Sequence, residues 1–108
     1  MSDKNKVISF GEHLRAIREA ASLSLKDVAS NIGIDISLLG KIERNERQPT
    51  KEQIKQLAKF FKIDKNELIK EFLSDLFAYR ILDEEADLDT LKVAEQKVQY
   101  LKANKNRK

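Results

Sequence analysis

Apolar residues recur at spacings of three and four along most of the chain, and short polar clusters interrupt them. That period belongs to helices that each bury one face. The first repeat, Phe10, Leu14, Ile17 and Ala21, begins at Ser9-Phe10-Gly11-Glu12. Those four residues spell a capping box, in which the Ser9 hydroxyl accepts from the third helical amide while Glu12 reaches back. Ser24 caps a second helix with Asp27 at its third position; Val28, Ala29 and Ile32 face inward and Gly33 ends it. Asp35 is expected to cap a third helix running to about Arg44, with Leu38 or Leu39, and Ile42, turned inward. Asn45 suits the left-handed position that closes it. After Pro49, Thr50-Lys51-Glu52-Gln53 is another capping box, and Ile54, Leu57, Ala58 and Phe61 form the buried stripe of a fourth helix.

A fifth helix opens at Asp64-Lys65-Asn66-Glu67 and carries Leu68, Ile69, Phe72, Leu73, Leu76, Phe77 and Ile81, a stripe wide for a helix packed on one neighbour. Asp83 to Asp89 holds five acids and no base, a solvated connector that favours the start of a sixth helix. Leu91, Ala94, Val98 and Leu101 then repeat at 3-4-3 spacing, a short coiled-coil-like seam. The pattern predicts an all-α chain: residues 1–8 a flexible N-terminus, 9–82 one five-helix domain, and 83–108 an extension helix whose tail from Lys102 to Lys108 is frayed.

Composition narrows this picture. An apolar content of 41% supports one core, and 36% charged residues require that most helical faces be solvated. The absence of cysteine excludes a disulfide framework and thiolate chemistry, and is compatible with a reducing cytosol. No apolar run approaches the roughly 18 residues of a membrane span, and Met1 to Lys6 lacks the apolar stretch of a secretion signal. A cytoplasmic protein without membrane contact is the expectation. The net charge of +3 lies entirely in residues 1–64, with residues 65–108 balanced at zero. Between Lys41 and Lys62 stand seven basic residues against three acids. Such a segment suits the phosphate backbone of DNA; an ordinary solvated helix surface would carry the same charges.

The second and third helices give that segment a geometry. Two short helices joined by a tight turn can place the second in a major groove. The crossing point needs a small residue, Ala29; the turn needs freedom for positive φ, Gly33; apolar anchors, Leu39 and Ile42, seat the second helix. Counted from Leu25, these residues stand at positions 5, 9, 15 and 18.

From Leu14 to about Leu68 the sequence resembles the Cro/CI-type helix-turn-helix domain of the lambda-repressor-like XRE family. The resemblance is carried by L-R-A-I-R from Leu14, L-S-L-K-D-V-A from Leu23, N-I-G-I-D from Asn31, K-I-E-R-N-E-R-Q-P from Lys41 and I-K-Q-L-A-K-F-F-K-I from Ile54. It implies a five-helix DNA-binding domain, here with an additional C-terminal helix, acting as a homodimer on short palindromic operators to control transcription. It also implies that Arg18 and Glu43 form a partly buried ion pair behind the reading helix. The reading positions fall on Ile36, Ser37, Gly40 and Lys41, and Arg44, Asn45 and Arg47 follow where the family holds phosphate backbone. Three residues depart from the family's pattern. Leu25 stands where Gln is frequent, Ser22 where Gly usually ends the first helix, and Gly40 weakens the reading helix by about 1 kcal/mol relative to Ala. With so few hydrogen-bonding groups, shape readout and phosphate contacts take a larger share of specificity.

Catalysis is not expected. His13 is the only histidine and sits near the buried face of the first helix, as a boundary residue. No cysteine or second histidine completes a zinc site, no glycine-rich phosphate loop is present, and the carboxylates of Asp83 to Asp89 lack calcium-loop spacing. Neither metal nor cofactor is expected. Two half-sites a helical turn apart require two reading heads, hence a homodimer. Phe72, Leu76 and Phe77 on the fifth helix and Leu91, Val98 and Leu101 on the sixth are the interface candidates; the alternative is that the sixth helix covers the fifth within one chain. Two further functions share this head: an antitoxin that binds a protein partner through its C-terminal helices and autoregulates its operon, and a restriction-modification controller.

Overall fold

The computed structural model describes residues 7–105; the remainder of the expected flexible N-terminus and of the basic tail lies outside the described residues. Six helices follow in order: α1 Phe10–Ala20, α2 Leu25–Ile32, α3 Ile36–Glu43, α4 Lys51–Phe61, α5 Lys65–Asp83 and α6 Asp89–Lys105. No strand occurs among the described residues. Helix α6 continues through Lys105, past Lys102, where fraying was expected. By their internal contacts the residues form two compact units, one ending at Asp75 and the other beginning at Leu76. The division therefore falls inside α5 and not at the expected 82/83. Asp75 is the last α5 residue bonded to α1, and the turns beyond it share an apolar groove with α6.

The first unit has a continuous core. Phe10 and Leu14 of α1, Val28, Ala29 and Ile32 of α2, Leu39 and Ile42 of α3, Ile54, Leu57 and Ala58 of α4, and Leu68 of α5 are all buried in one cluster. Each large side chain among them contributes about 1.5–3 kcal/mol by leaving water. Ala21, expected on the inner face of α1, is exposed at its C-cap, because the chain turns there and Leu23 packs on the core instead. Phe61 is half-buried, stacked edge-on against Phe60.

Helix starts follow the local sequence closely. Ser9/Glu12, Ser24/Asp27 and Thr50/Gln53 each form a reciprocal capping box. The Ser24 amide and hydroxyl hold the Asp27 carboxyl below the usual carboxylate range. Asp35 is the exception. It occupies the N-cap of α3 but its side chain makes no capping bond. The third helical position there is Leu38, so no reciprocal capping box forms at this start.

Helix ends share one device. After α1, α2, α3, α4 and α5, the amides of Leu23, Ile34, Glu46, Ile63 and Ala86 donate to the carbonyls of Arg18, Ala29, Lys41, Ala58 and Ile81. This six-to-one closure requires a left-handed residue just before the donor. Glycine supplies it only at Gly33, φ 74°; Ser22, Asn45, Lys62 and Glu85 supply it at φ 59°, 62°, 59° and 53°. A left-handed serine costs about 1–2 kcal/mol, and glycine returns part of that gain as unfolded-chain entropy. Ser22→Gly is therefore expected to stabilise the fold by about 0.5–1 kcal/mol, a rise of about 4 °C in the thermal midpoint. A lowered midpoint in a circular-dichroism melt would contradict this account of the α1 corner.

Candidate nucleic-acid interface

The turn between α2 and α3 is built from the bottom up. Ala29 is buried at the crossing, its carbonyl accepts from the amides of Gly33 and Ile34 at 2.9 and 3.1 Å, and Leu39 and Ile42 sit wholly in the core. Anchored this way, α3 turns Ile36, Ser37 and Lys41 to solvent. Ile36 is 49% exposed, unusual for isoleucine, and among the described residues before residue 76 only Val7 is another large hydrophobic so exposed. An apolar contact such as a thymine methyl suits it, while Ser37 and Lys41 offer the only polar groups on this part of the face.

Behind the reading helix the structure brings Arg18 and Glu43 together. Arg18 Nε and Nη2 donate to the Glu43 carboxylate at 2.7 and 3.0 Å, and Nη1 donates to the Leu23 carbonyl at 2.8 Å. The side chains are only 12% and 5% exposed. The carboxylate raises the already high pKa of the guanidinium, chiefly through its hydrogen bonds. A fork of this kind ties α1 to the end of α3 in fixed orientation.

One expected reading position, Gly40, and one expected phosphate-side residue, Asn45, also make contacts within the fold. Gly40 is buried, facing Leu25 and the guanidinium of Arg44; a Cβ there would lie 3.1 Å from Arg44 Nη1. Asn45 takes the left-handed conformation, but its amide is committed elsewhere: Oδ1 accepts from the Gly11 amide at 3.1 Å and Nδ2 donates to Ser9 Oγ at 2.8 Å. Asn45 therefore clamps the end of α3 to the start of α1. Arg44 and Arg47 are exposed, Arg44 beside Glu46.

The start of α1 is a hub that the sequence showed only in part. Helices begin with four amides that lack intrahelical partners. Here the Ser9 amide donates to the Glu12 carboxylate at 3.0 Å, Phe10 to Asp75 at 2.7 Å, Gly11 to Asn45, and Glu12 to Ser9 Oγ. One turn on, His13 Nδ1 stands 2.6 Å from Glu71, a structural role that fits its boundary position. Asp75 and Glu71 are distant in sequence and gave no local signal. Gly11 did carry one, because glycine in the first turn of an otherwise good helix is unfavourable and asks for a steric reason.

The basic segment is a surface property. Lys41, Arg44, Arg47, Lys51, Lys55, Lys59 and Lys62 are all exposed, whereas Glu43 is buried and neutralised by Arg18. Among the described residues no group of histidine and carboxylate side chains is placed to hold a metal ion, and no helix is long and apolar enough to cross a membrane.

In the second unit no residue from Leu76 to Lys105 is buried. Phe77, Ile81, Leu91, Ala94 and Val98, with Arg80 and Glu95, line an open groove of about 470 Å³. Of the interface candidates, Phe77 and Leu101 are 60% and 61% exposed, and Leu91 and Val98 about half. Leu76 is half-buried. Phe72 is used inside the first unit, where its ring meets Phe10 edge-on at 5.4 Å.

Residues 11–71 match the family described as a helix-turn-helix domain. Among solved structures, the restriction-modification controller protein C.AhdI from Aeromonas hydrophila is 37% identical over 55% of this chain and 89% of its own, with a TM-score of 0.52. The SinR protein/SinI protein complex is similar over 91% of this chain and 99% of the matched chain, with a TM-score of 0.53; at 20% identity that likeness is one of fold. No curated protein matches the chain.

Proposed function

The chain belongs to the Cro/CI-type helix-turn-helix family of DNA-binding regulators, and from that premise we propose that it acts as a homodimer on a short palindromic operator, controlling transcription by occupancy. The observation that carries this reading is α3 itself, with one face locked in the core by Leu39, Ile42 and the Glu43 fork and the other offering Ile36, Ser37 and Lys41 to solvent. Lys41 donates to a guanine edge or a phosphate, Ser37 to either, and Arg47 and the lysines of α4 supply phosphate contacts. Such a role places the protein in the compartment that holds the DNA.

The second unit supports the dimer. Ordering a residue costs about 1–2 kcal/mol in backbone entropy alone, and a helical pair with no buried residue offsets little of this by itself. Covering Phe77, Leu91, Val98 and Leu101 against a second copy supplies the missing burial and sets two reading heads on one two-fold axis. Selection of bound sites from random duplex DNA tests the whole reading. The expected product is a pseudo-palindrome with half-site centres about 34 Å apart; a motif without symmetry, together with only monomer in sedimentation at micromolar concentration, removes the dimer. Lys41→Ala is expected to weaken binding to the selected site about tenfold, a loss of about 1.4 kcal/mol, with an unchanged thermal midpoint. Unchanged affinity would place the reading elsewhere than α3.

The likeness to C.AhdI favours a second reading, control of a restriction-modification operon. It shares the head and the dimer, and the position of the selected motif upstream of a nuclease gene would distinguish it. An antitoxin-type role would show instead as a stable complex of the second unit with another protein and loss of the self-associated form.

A further inference from the structure

Arg44 closes the reading helix at its C-cap, and its guanidinium folds back along the helix toward Gly40. Glycine at residue 40 leaves room for it, since a Cβ there would stand 3.1 Å from Nη1. The guanidinium is held by Glu46, with Nε donating to Oε2 at 3.1 Å and Nη2 to Oε1 at 3.3 Å. Glu46 is in turn fixed by its own amide, which donates to the Lys41 carbonyl at 2.8 Å in the left-handed closure of α3. The two nitrogens engaged by Glu46 are those with which arginine grips a phosphate bidentately. Arg44 and Glu46 are each more than half exposed, so nothing in the fold requires the pair for stability.

We propose that Glu46 is an intramolecular competitor for Arg44, a carboxylate standing where a DNA phosphate oxygen would bind. This rests on the DNA-binding reading above. Its carboxyl is held below the usual range by the Arg44 hydrogen bonds, then by the charges of Arg44 and Lys41, so the competitor is ionised at neutral pH. Phosphate engagement by Arg44 requires that Glu46 be displaced, which lowers affinity for any duplex. Sequences whose backbone comes close enough to displace it are favoured over the rest. Glu46 is on this account a specificity-determining residue without a base contact of its own, and the open space at Gly40 is part of the same arrangement.

The test is a double-mutant cycle on a mixed-sequence, fluorescently labelled DNA duplex, read by anisotropy across a salt series. Glu46→Gln is expected to tighten binding about threefold to tenfold at low salt and to steepen the salt slope by up to about one unit, one phosphate contact. In the Arg44→Ala background the same change is expected to have no effect. Equal tightening in both backgrounds overturns the proposal, because it would reflect only the removed negative charge. No tightening, or weaker binding, by Glu46→Gln also overturns it and makes Glu46 a support for Arg44. If neither the parent protein nor any variant binds duplex DNA, the DNA-binding reading itself falls and the competition with it. Thermal midpoints of all four proteins, expected to agree, exclude misfolding as the cause.

Discussion

Gly11→Ala is expected to destabilise the first unit by at least about 3 kcal/mol, lowering its thermal midpoint on the order of 15 °C. A Cβ on residue 11 would lie 2.5 Å from Asn45 Oδ1 and the Glu43 carbonyl oxygen and 2.6 Å from the Ile42 carbonyl oxygen. Two of these are backbone atoms at the end of the reading helix, so no side-chain rotation relieves the contact. The chain must separate α1 from α3, and it then loses the Gly11–Asn45 and Asn45–Ser9 hydrogen bonds as well. Gly33→Ala provides the contrast. Nothing lies within 4 Å of its added Cβ, and the cost is only that of a left-handed alanine at φ 74°, about 1–2 kcal/mol. Equal midpoints for the two variants would refute the close approach of α1 and α3.

Arg18→Met is expected to cost about 3–5 kcal/mol, because it strands the Glu43 carboxylate at 5% exposure without its counter-charge. The Leu23 carbonyl loses a donor in the same step. Adding Glu43→Leu to Arg18→Met removes the stranded charge, and most of the loss is expected to return, since an apolar pair of similar volume is often no less stable than a buried ion pair. Chemical denaturation of the parent, the two single variants and the double variant measures the coupling directly. Additive losses, with no recovery in the double variant, would show that packing and not charge compensation dominates at this site. Glu43→Leu alone leaves Arg18 partly exposed and free to reach water, so its cost is expected to be the smaller of the two.

The readable parts of this fold are those decided within one helical turn. Ser9/Glu12, Ser24/Asp27 and Thr50/Gln53 bond across three residues, so residue type and spacing suffice to place three helix starts. Gly33 and Asn45 mark left-handed closures for the same reason, whereas Lys62 and Glu85 take that conformation with no favourable residue to announce it. Asp35 stands at the N-cap of α3 as its residue type announces, but it makes no side-chain cap bond, and Leu38 at the third position leaves no capping box there. Arg18 and Glu43, 25 residues apart, were legible only through a family resemblance, since neither residue has a local reason to be buried.

The candidate interface divides along the same line. Ile36, Ser37 and Lys41 could be placed on the outer face of α3 from helical periodicity once Leu39 and Ile42 were known to face inward. Gly40 and Asn45 could not be separated from them by periodicity, because what packs on Gly40 and what bonds to the exposed Asn45 side chain come from Leu25, Arg44, Ser9 and Gly11. Phe72 and Phe77 look alike in sequence, each an aromatic residue on the same long helix. One meets Phe10 and the other meets solvent.

The sequence by itself determined six helices, where the first five begin, which stripe of α2 to α4 is buried, and that a tight turn carries a solvent-facing helix at the head of a basic segment. These follow from periodicity, capping and charge, which act between near neighbours in the chain. Only the tertiary structure decided that Gly11 is a point of contact, that Asn45 clamps two helices, that Glu46 holds Arg44, and that α5 passes from a packed unit into one with no buried residue. These depend on which surfaces meet across long stretches of chain. Contact of that kind is set by the packing of the whole core and leaves no period in the sequence.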